Sequence, residues 1–437
     1  MQTPHQSTLR ACLVAAMALT ISTTTEAQHG DSAPAAPIRA LLAAPVATRA
    51  ALSTQFWEER RSAGSPISEP VGADSLAVTF VLRGSPDSTA NAILFGGPAN
   101  LGDSPKMMTN VIGTDVWYHT ITVPARARYL YRFSVNDTVM AEPHAPASAR
   151  FPSFFVLDSL NRRSAPYSPG ASGSVFEGRD APSLAMSVPV EGRPSGSVTS
   201  VTLQSKQLGQ VRNLKVYLPP GYAPSTRANT PLIVLFDAGP YTSPAYVPTA
   251  TIMDNLIAEH RIPPAVVVMV DTPQPGRYTD LWPSRPFADF VATELIPWAR
   301  TTYAATSDPL HTVIGGSSLG GLTATYVAMH YPRVAGLVLS QSGSYWTGMK
   351  QGADTSAEWV RRTLADMPRL PIRFWMEVGD YESRLTNPVG MEATNRRLRD
   401  LLKEKGYRVS YREFAGGHEY INWRASLPAA LTELLAP

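Results

Sequence analysis

Cysteine is almost missing from this chain of 437 residues: a single one, Cys12, stands close to the N-terminus. That scarcity excludes a disulfide framework, a thiol nucleophile in the body of the chain and a Cys-ligated zinc site. Charge of one sign is not in excess either. Lys and Arg number 38 and Asp and Glu 35, a net +3, which gives no electrostatic case for a nucleic-acid partner. No apolar run reaches the ~18–20 residues that a membrane-spanning helix needs. The His-Glu-x-x-His zinc signature, the phosphate-binding P-loop and the dinucleotide fingerprint do not occur, so no metal or organic cofactor is expected. Charged residues make up only 17% of the chain and hydrophobic ones 44%, which rules out a disordered polyampholyte and supplies a sizeable core. Proline is abundant, with 39 residues, and predicts many turns and irregular connections.

The first 27 residues carry one cation, Arg10, then the apolar run Ala11 to Leu19, then small residues ending at Thr25-Glu26-Ala27. This is the layout of a secretory signal peptide cleaved after Ala27. It would take Cys12 with it and leave a cysteine-free mature chain in a bacterial periplasm or the medium. Residues 28–50 are rich in Ala and Pro and read as a tether.

From about Ser75 the apolar residues recur with period two: Leu76, Val78, Phe80 and Leu82, then Trp117, His119, Ile121 and Val123, then Tyr129, Tyr131, Phe133 and Val135. Short alternating strands between Gly, Pro, Asn and Asp turns predict a small all-β, immunoglobulin-like sandwich over 51–157. Residues 158–195 lose the periodicity and read as a linker. Beyond, over 196–437, apolar strand-like runs at 214–218, 232–236, 266–270, 313–314, 336–339, 374–378 and 409–414 alternate with helical patterns at 249–260, 287–303, 319–330, 392–405 and 422–435. That alternation predicts an α/β domain with a mostly parallel sheet covered on both faces.

The chemistry concentrates in three places. Gly316-Ser317-Ser318-Leu319-Gly320 follows an apolar run and precedes a helix, the setting of a nucleophile elbow around Ser318. A Cβ at Gly316 or Gly320 is expected to collide with that turn. Of the eight histidines, His418 alone stands in a glycine-rich loop after the last predicted strand, Ala415-Gly416-Gly417-His418, where this architecture presents its base. Between serine and histidine, the strand Phe374–Val378 enters Gly379-Asp380-Tyr381-Glu382, so Asp380 and Glu382 are both candidates to accept the histidine Nδ1 hydrogen.

These segments, with Trp423 after the histidine loop, resemble the enterochelin (iron–siderophore) esterases within the esterase D and feruloyl esterase group of α/β-hydrolases. The resemblance extends to the N-terminal part, through Phe56-Trp57, Gly64-Ser65-Pro66-Ile67, Val78-Thr79-Phe80, Met107-Met108 and Asp115-Val116-Trp117-Tyr118. It implies a serine esterase acting through an acyl-enzyme on a small-molecule ester, foremost a triscatecholate siderophore lactone. Feruloyl or acetyl esters of plant polysaccharide come second, and a non-catalytic binding protein on the same scaffold is the remote third reading. The family's spacing implies Glu382 as the acid. It also implies the Leu319 N–H and an N–H near Ala238 as oxyanion donors, although Ala238 stands where relatives carry glycine. Arg277, followed by Asp280-Leu281, and Trp346 in Ser342-Gly343-Ser344-Tyr345-Trp346 resemble substrate-pocket segments, with Arg285 and Trp282 as further cationic and aromatic candidates.

Overall fold

A computed structural model describes residues 32–100, 106–137, 155–168, 170–223, 229–272, 276–349, 356–382 and 390–435. The leader 1–27, with Cys12 and the cleavage point after Ala27, lies outside the described residues. No helix among them is long and apolar enough to cross a membrane.

Residues read as a tether instead form two helices, α1 (Ala36–Ala43) and α2 (Val46–Ala63). Alanine is the best helix former, and Pro37 falls in the first turn of α1, where proline costs no hydrogen bond. Ile38, Leu41, Phe56 and Trp57 bury their side chains against Val81, Val111 and Val116, and the Trp57 indole N–H donates to Asp115 Oδ1 at 2.8 Å. The Ala/Pro composition therefore conceals an apolar stripe that docks on the next domain.

That domain contains β1 (Ile67–Pro70), β2 (Ser75–Arg83), β3 (Ala92–Phe95), β4 (Lys106–Met107), β5 (Thr109–Asn110), β6 (Val116–Pro124), β7 (Arg128–Val135), β8 (Ser164–Ser168) and β9 (Ala171–Glu177). They make two sheets, ordered β1-β2-β6-β5 and β4-β3-β7-β9-β8. Val78, Phe80, Ile121, Val123, Tyr129, Tyr131 and Phe133 meet between the sheets, as the period-two pattern requires. The linker reading of 158–195 is corrected in part, because β8 and β9 complete the second sheet. Pro166, Gly170 and Gly173 masked those strands in the sequence. Residues 178–195 form no strand and lie on the C-terminal domain, where Asn255 Nδ2 donates to the carbonyls of Met186 and Val188 at 2.9 and 3.0 Å.

The C-terminal domain is built on a sheet ordered β10-β11-β13-β12-β14-β15-β16-β17. Its strands are β10 (Ser197–Ser205), β11 (Gln210–Leu218), β12 (Leu232–Phe236), β13 (Val266–Val270), β14 (Thr312–Ser317), β15 (Leu337–Gln341), β16 (Arg373–Gly379) and β17 (Arg408–Phe414). The sheet is parallel from β13 to β17, and β10 and β11 run antiparallel at one edge. Strands β12 and β13 are buried at every position, so they read as continuous apolar runs. One face packs on α5 (Arg277–Leu281), α6 (Arg285–Phe290), α7 (Ile296–Thr302), α8 (Leu319–His330), α9 (Trp359–Asp366) and α10 (Met391–Glu404). The other packs on α3 (Ala238–Thr242), α4 (Thr249–Ala258) and α11 (Tyr420–Leu435). The helix expected over 287–303 is one continuous path with a π-helical turn, Val291–Leu295, between α6 and α7.

Candidate active site

Five neighbouring parallel strands each deliver one part of the site from their carboxyl ends, where open α/β sheets place their ligands. Ala238 follows β12, Ser318 follows β14, the Ser342–Ser344 turn follows β15, and Glu382 follows β16. His418 follows β17. Strands β12 and β14 are paired, with Leu235 beside Gly315, so the two helix starts that follow them are adjacent.

Ser318 is held at φ 58° and ψ −120°, the strained corner of an elbow, and caps α8. The steric argument for the flanking glycines needs one correction. A Cβ on Gly316 would stand 3.0 Å from the Gly320 backbone, but a Cβ on Gly320 would meet Phe236 only at an ordinary 3.6 Å. The second tight position is Gly321, whose Cβ would lie 2.6 Å from Ser340 Oγ. Leu319 and Ala238 are the first residues of α8 and α3, so their N–H groups have no partner within the helix. Two such unpaired donors at the carboxyl ends of paired strands are what an oxyanion hole would draw on.

The candidate base and acid are in direct contact: His418 Nδ1 lies 2.6 Å from Glu382 Oε2. Glu382 is fully buried, and its other oxygen accepts the Gly379 N–H at 2.8 Å and the Ser342 hydroxyl at 2.7 Å. Ser342 in turn accepts the Trp423 indole N–H at 3.0 Å, and the Trp423 ring stands edge-on to His418 at 4.8 Å. The histidine ring is thus fixed on two sides. Asp380 points elsewhere. It pairs with Arg126 of the sandwich at 3.5 Å, and burial pushes its carboxyl up to about 6 against the pull of that arginine. Of the two carboxylates left open by the sequence, geometry brings Glu382 to the histidine. The Ser318 hydroxyl is bonded to Ser344 Oγ at 3.2 Å. Ser342 and Ser344, two residues apart, therefore link the acid to the nucleophile. Ser342 and Ser344 are legible in the sequence only as part of a pocket segment, because side-chain hydroxyls in a Gly-Ser turn carry no periodic signal.

The predicted substrate-pocket residues are placed differently from one another. Arg277 does not pair with Asp280, which is bonded to Arg212. It forms a two-pronged bond to Asp237, Nε to Oδ1 and Nη2 to Oδ2, each at 2.8 Å. Asp237 sits at φ 65° immediately before Ala238 and also accepts the Thr272 hydroxyl, so Arg277 braces the loop that carries the second N–H. Trp346 stands edge-on to Trp282 at 5.8 Å, and its buried indole N–H has no partner among the described residues. Arg285 is turned away, held by Asp289 at 2.6 Å and lying over Tyr331.

The sandwich contributes directly. The Arg128 N–H donates to Ala415 O at 2.9 Å, and the Leu130 N–H donates to Glu419 Oε1 at 3.1 Å. Tyr381, between the two candidate acids, lies in the sandwich core against Tyr129, ring centroids 5.7 Å apart. Close approach explains two glycines: a Cβ on Gly379 would stand 2.2 Å from Gly416 O, and one on Gly416 2.6 Å from Arg128 O. Two buried acids flank this centre. Burial pushes Glu377 up to about 8 against hydrogen bonds from Ser426 and Gln341, and it pushes Glu419 up to about 8 against the Leu130 N–H.

Comparison with known proteins agrees with this architecture. Residues 205–434 match the family described as putative esterase, and residues 77–186 match the enterochelin esterase N-terminal domain. The iron(III) enterobactin esterase of Escherichia coli O6:H1 strain CFT073 is 27% identical over 347 residues, covering 76% of this chain and 82% of that protein. The iron(III) enterobactin esterase of Dickeya dadantii strain 3937 is 25% identical, covering 90% and 94%. Among solved structures, the enterobactin esterase of Shigella flexneri, crystallised in the presence of enterobactin, superposes with a TM-score of 0.70 over 87% of this chain and 97% of that one, at 24% identity.

Proposed function

This chain belongs to the putative esterase family, and from that premise we propose that it is a siderophore esterase, cleaving the ester bonds of an enterobactin-like trilactone by a serine acyl-enzyme route. The observation that carries the chemistry is the buried, doubly oriented Glu382 in contact with His418, together with the strained elbow at Ser318. In the reaction, His418 takes the Ser318 proton as the oxygen attacks the ester carbonyl. The Leu319 and Ala238 N–H groups receive the oxyanion, and Glu382 stabilises the imidazolium. His418 then protonates the leaving alcohol, and water repeats the sequence on the acyl-enzyme. The substrate reading rests on the relatives and on the matching N-terminal domain, which favours it over feruloyl or acetyl esters of polysaccharide.

The test is hydrolysis of a catecholate trilactone beside a feruloylated oligosaccharide by the wild type and by Ser318→Ala. The wild type should cleave the trilactone with the higher kcat/KM. Ser318→Ala should fold and lose on the order of 10⁴-fold or more in rate. A serine variant that turns over p-nitrophenyl butyrate like wild type sinks the mechanism, and preference for the feruloyl ester sinks the substrate. We further propose export: residues 1–27 act as a signal peptide, leaving a mature periplasmic or secreted chain that begins near Gln28. Intact mass of the exported protein decides this, and retention of Met1 rejects it.

A further inference from the structure

Three arginines that lie wholly or partly buried in this fold are held by carboxylates: Arg128 by Glu177, Arg212 by Asp280 and Arg277 by Asp237. Arg132 on β7 is different. Among the described residues its guanidinium has no ion pair and no hydrogen bond, and it is held by rings instead. It lies 3.9 Å from the centroid of Phe155 and 5.3 Å from that of Tyr167. Burial pulls this guanidinium below its ordinary value, with Tyr167 and Glu419 drawing it back up.

Alternation along β7 aims it. Tyr129, Tyr131 and Phe133 point into the sandwich core, so Arg128, Leu130 and Arg132 share the opposite face. On that face Leu130 packs against Ile421 of α11, three residues beyond His418. Arg132 is the next residue along, about 7 Å further. Tyr167 is aimed by a separate device. The register between β8 and β9 shifts between Pro166 and Ser168, and such a bulge re-aims a side chain, here towards Leu130 and Arg132. The charge of Glu419 is felt by both Arg132 and Tyr167, and that of Glu382 by Tyr167, so the cluster stands beside the histidine loop. Glu419 does not pair with the arginine. One of its oxygens accepts the Leu130 N–H at 3.1 Å and the other the Asn422 amide at 3.3 Å.

A partly desolvated guanidinium with no ion-pair partner among the described residues, flanked by aromatic faces, matches a planar anion. Its N–H fork takes two oxygens side by side, and the rings supply a floor for an aryl group. We propose that Arg132, with Phe155 and Tyr167, forms a recognition subsite, contributed by the N-terminal domain, for an anionic aromatic arm of the substrate, of the catecholate or aryl carboxylate class. The inference rests on the siderophore-esterase reading and deepens it. Bond cleavage belongs to the α/β domain, and selection of the aromatic arm belongs to the sandwich.

The probe is 2,3-dihydroxybenzoate, titrated calorimetrically into the full-length chain and its variants. Arg132→Gln should bind it about tenfold more weakly, or not at all, as loss of a charge-assisted fork over aromatic faces requires. Arg132→Lys keeps the charge and the packed stem but loses the fork, and it should fall between the two. That variant decides the question if Arg132→Gln does not fold by circular dichroism. In parallel, the ratio of kcat/KM on a catecholate trilactone to that on p-nitrophenyl butyrate should drop about tenfold in Arg132→Gln. Equal affinity in wild type and variants, or no binding to the wild type, overturns the subsite. A wild type that hydrolyses p-nitrophenyl butyrate but leaves the trilactone intact overturns the siderophore reading instead, while the titration still judges the subsite.

Discussion

Leu130 and Glu419 are 289 residues apart, yet the backbone N–H of the first is bonded to the carboxyl of the second at 3.1 Å. Glu419 directly follows His418, so a strand of the N-terminal sandwich holds the loop that carries the base. Through Tyr381 and Arg126 the same domain also grips the loop that carries Glu382. The sandwich therefore contacts both loops of the candidate site.

That relationship predicts a split between two substitutions. Glu419→Gln retains a carbonyl acceptor for the Leu130 N–H and should keep near-normal kcat at pH 7. Glu419→Leu strands a buried donor, at a cost of about 1–3 kcal/mol, and frees the histidine loop. Its kcat on p-nitrophenyl butyrate should fall about ten- to hundredfold, as small misplacements of a catalytic group do. Steady-state kinetics with both variants checks this, and equal kcat values would show that the sandwich contact does not position His418.

The two acids of the Gly379–Glu382 loop should separate cleanly. Glu382→Gln removes the partner that stabilises the imidazolium and should lower kcat by on the order of 10²–10⁴, with little change in KM. Asp380→Asn loses only the Arg126 pair and should cost about tenfold or less. Circular dichroism confirms the fold of each. A crippled Asp380→Asn beside a nearly active Glu382→Gln would reverse the assignment.

Arg277 supplies a third expectation. Asp237 is 4% exposed, and removal of its arginine leaves a buried charge with one remaining hydroxyl donor. Arg277→Gln should destabilise the fold by roughly 3 kcal/mol and lower kcat by disturbing the Ala238 N–H. The double variant Asp237→Asn with Arg277→Gln should recover much of the stability. Urea unfolding of single and double variants measures it, and a double variant no more stable than the single would remove the argument.

The pH dependence of stability follows from Glu377. Its carboxyl is pushed up to about 8 in the fold, chiefly by burial, from an ordinary 4.5. Between those values the folded chain holds a proton that the unfolded chain has lost, so stability is full below about pH 4.5 and declines as pH rises through about 8. Both hydrogen bonds to Glu377 reach Oε1, and a Gln carbonyl can accept them equally. Glu377→Gln should therefore flatten the fall in melting temperature between pH 5 and 9, leaving the residual slope from Glu419. Parallel slopes in variant and wild type would place the proton elsewhere.

The sequence by itself determined the elements whose signal is local. Period-two alternation marked β2, β6 and β7, uninterrupted apolar runs marked β12 and β13, and the order of Ser318, acid and His418 followed from strand, turn and helix punctuation. The helices α1 and α2 were hidden by an Ala/Pro composition that suits a tether equally well. Strands β8 and β9 were hidden by glycine and proline, and β10 by a polar, exposed face. The residues themselves left Asp380 and Glu382 open and the family resemblance implied Glu382; the tertiary structure brought its carboxylate to His418, because two residues of spacing in a loop say nothing about direction. It paired Arg277 with Asp237, a partner 40 residues away. It also brought Leu130 to Glu419, 289 residues away. Contacts of that kind depend on where segments distant in the chain meet in space, and no periodicity along the chain encodes such a meeting.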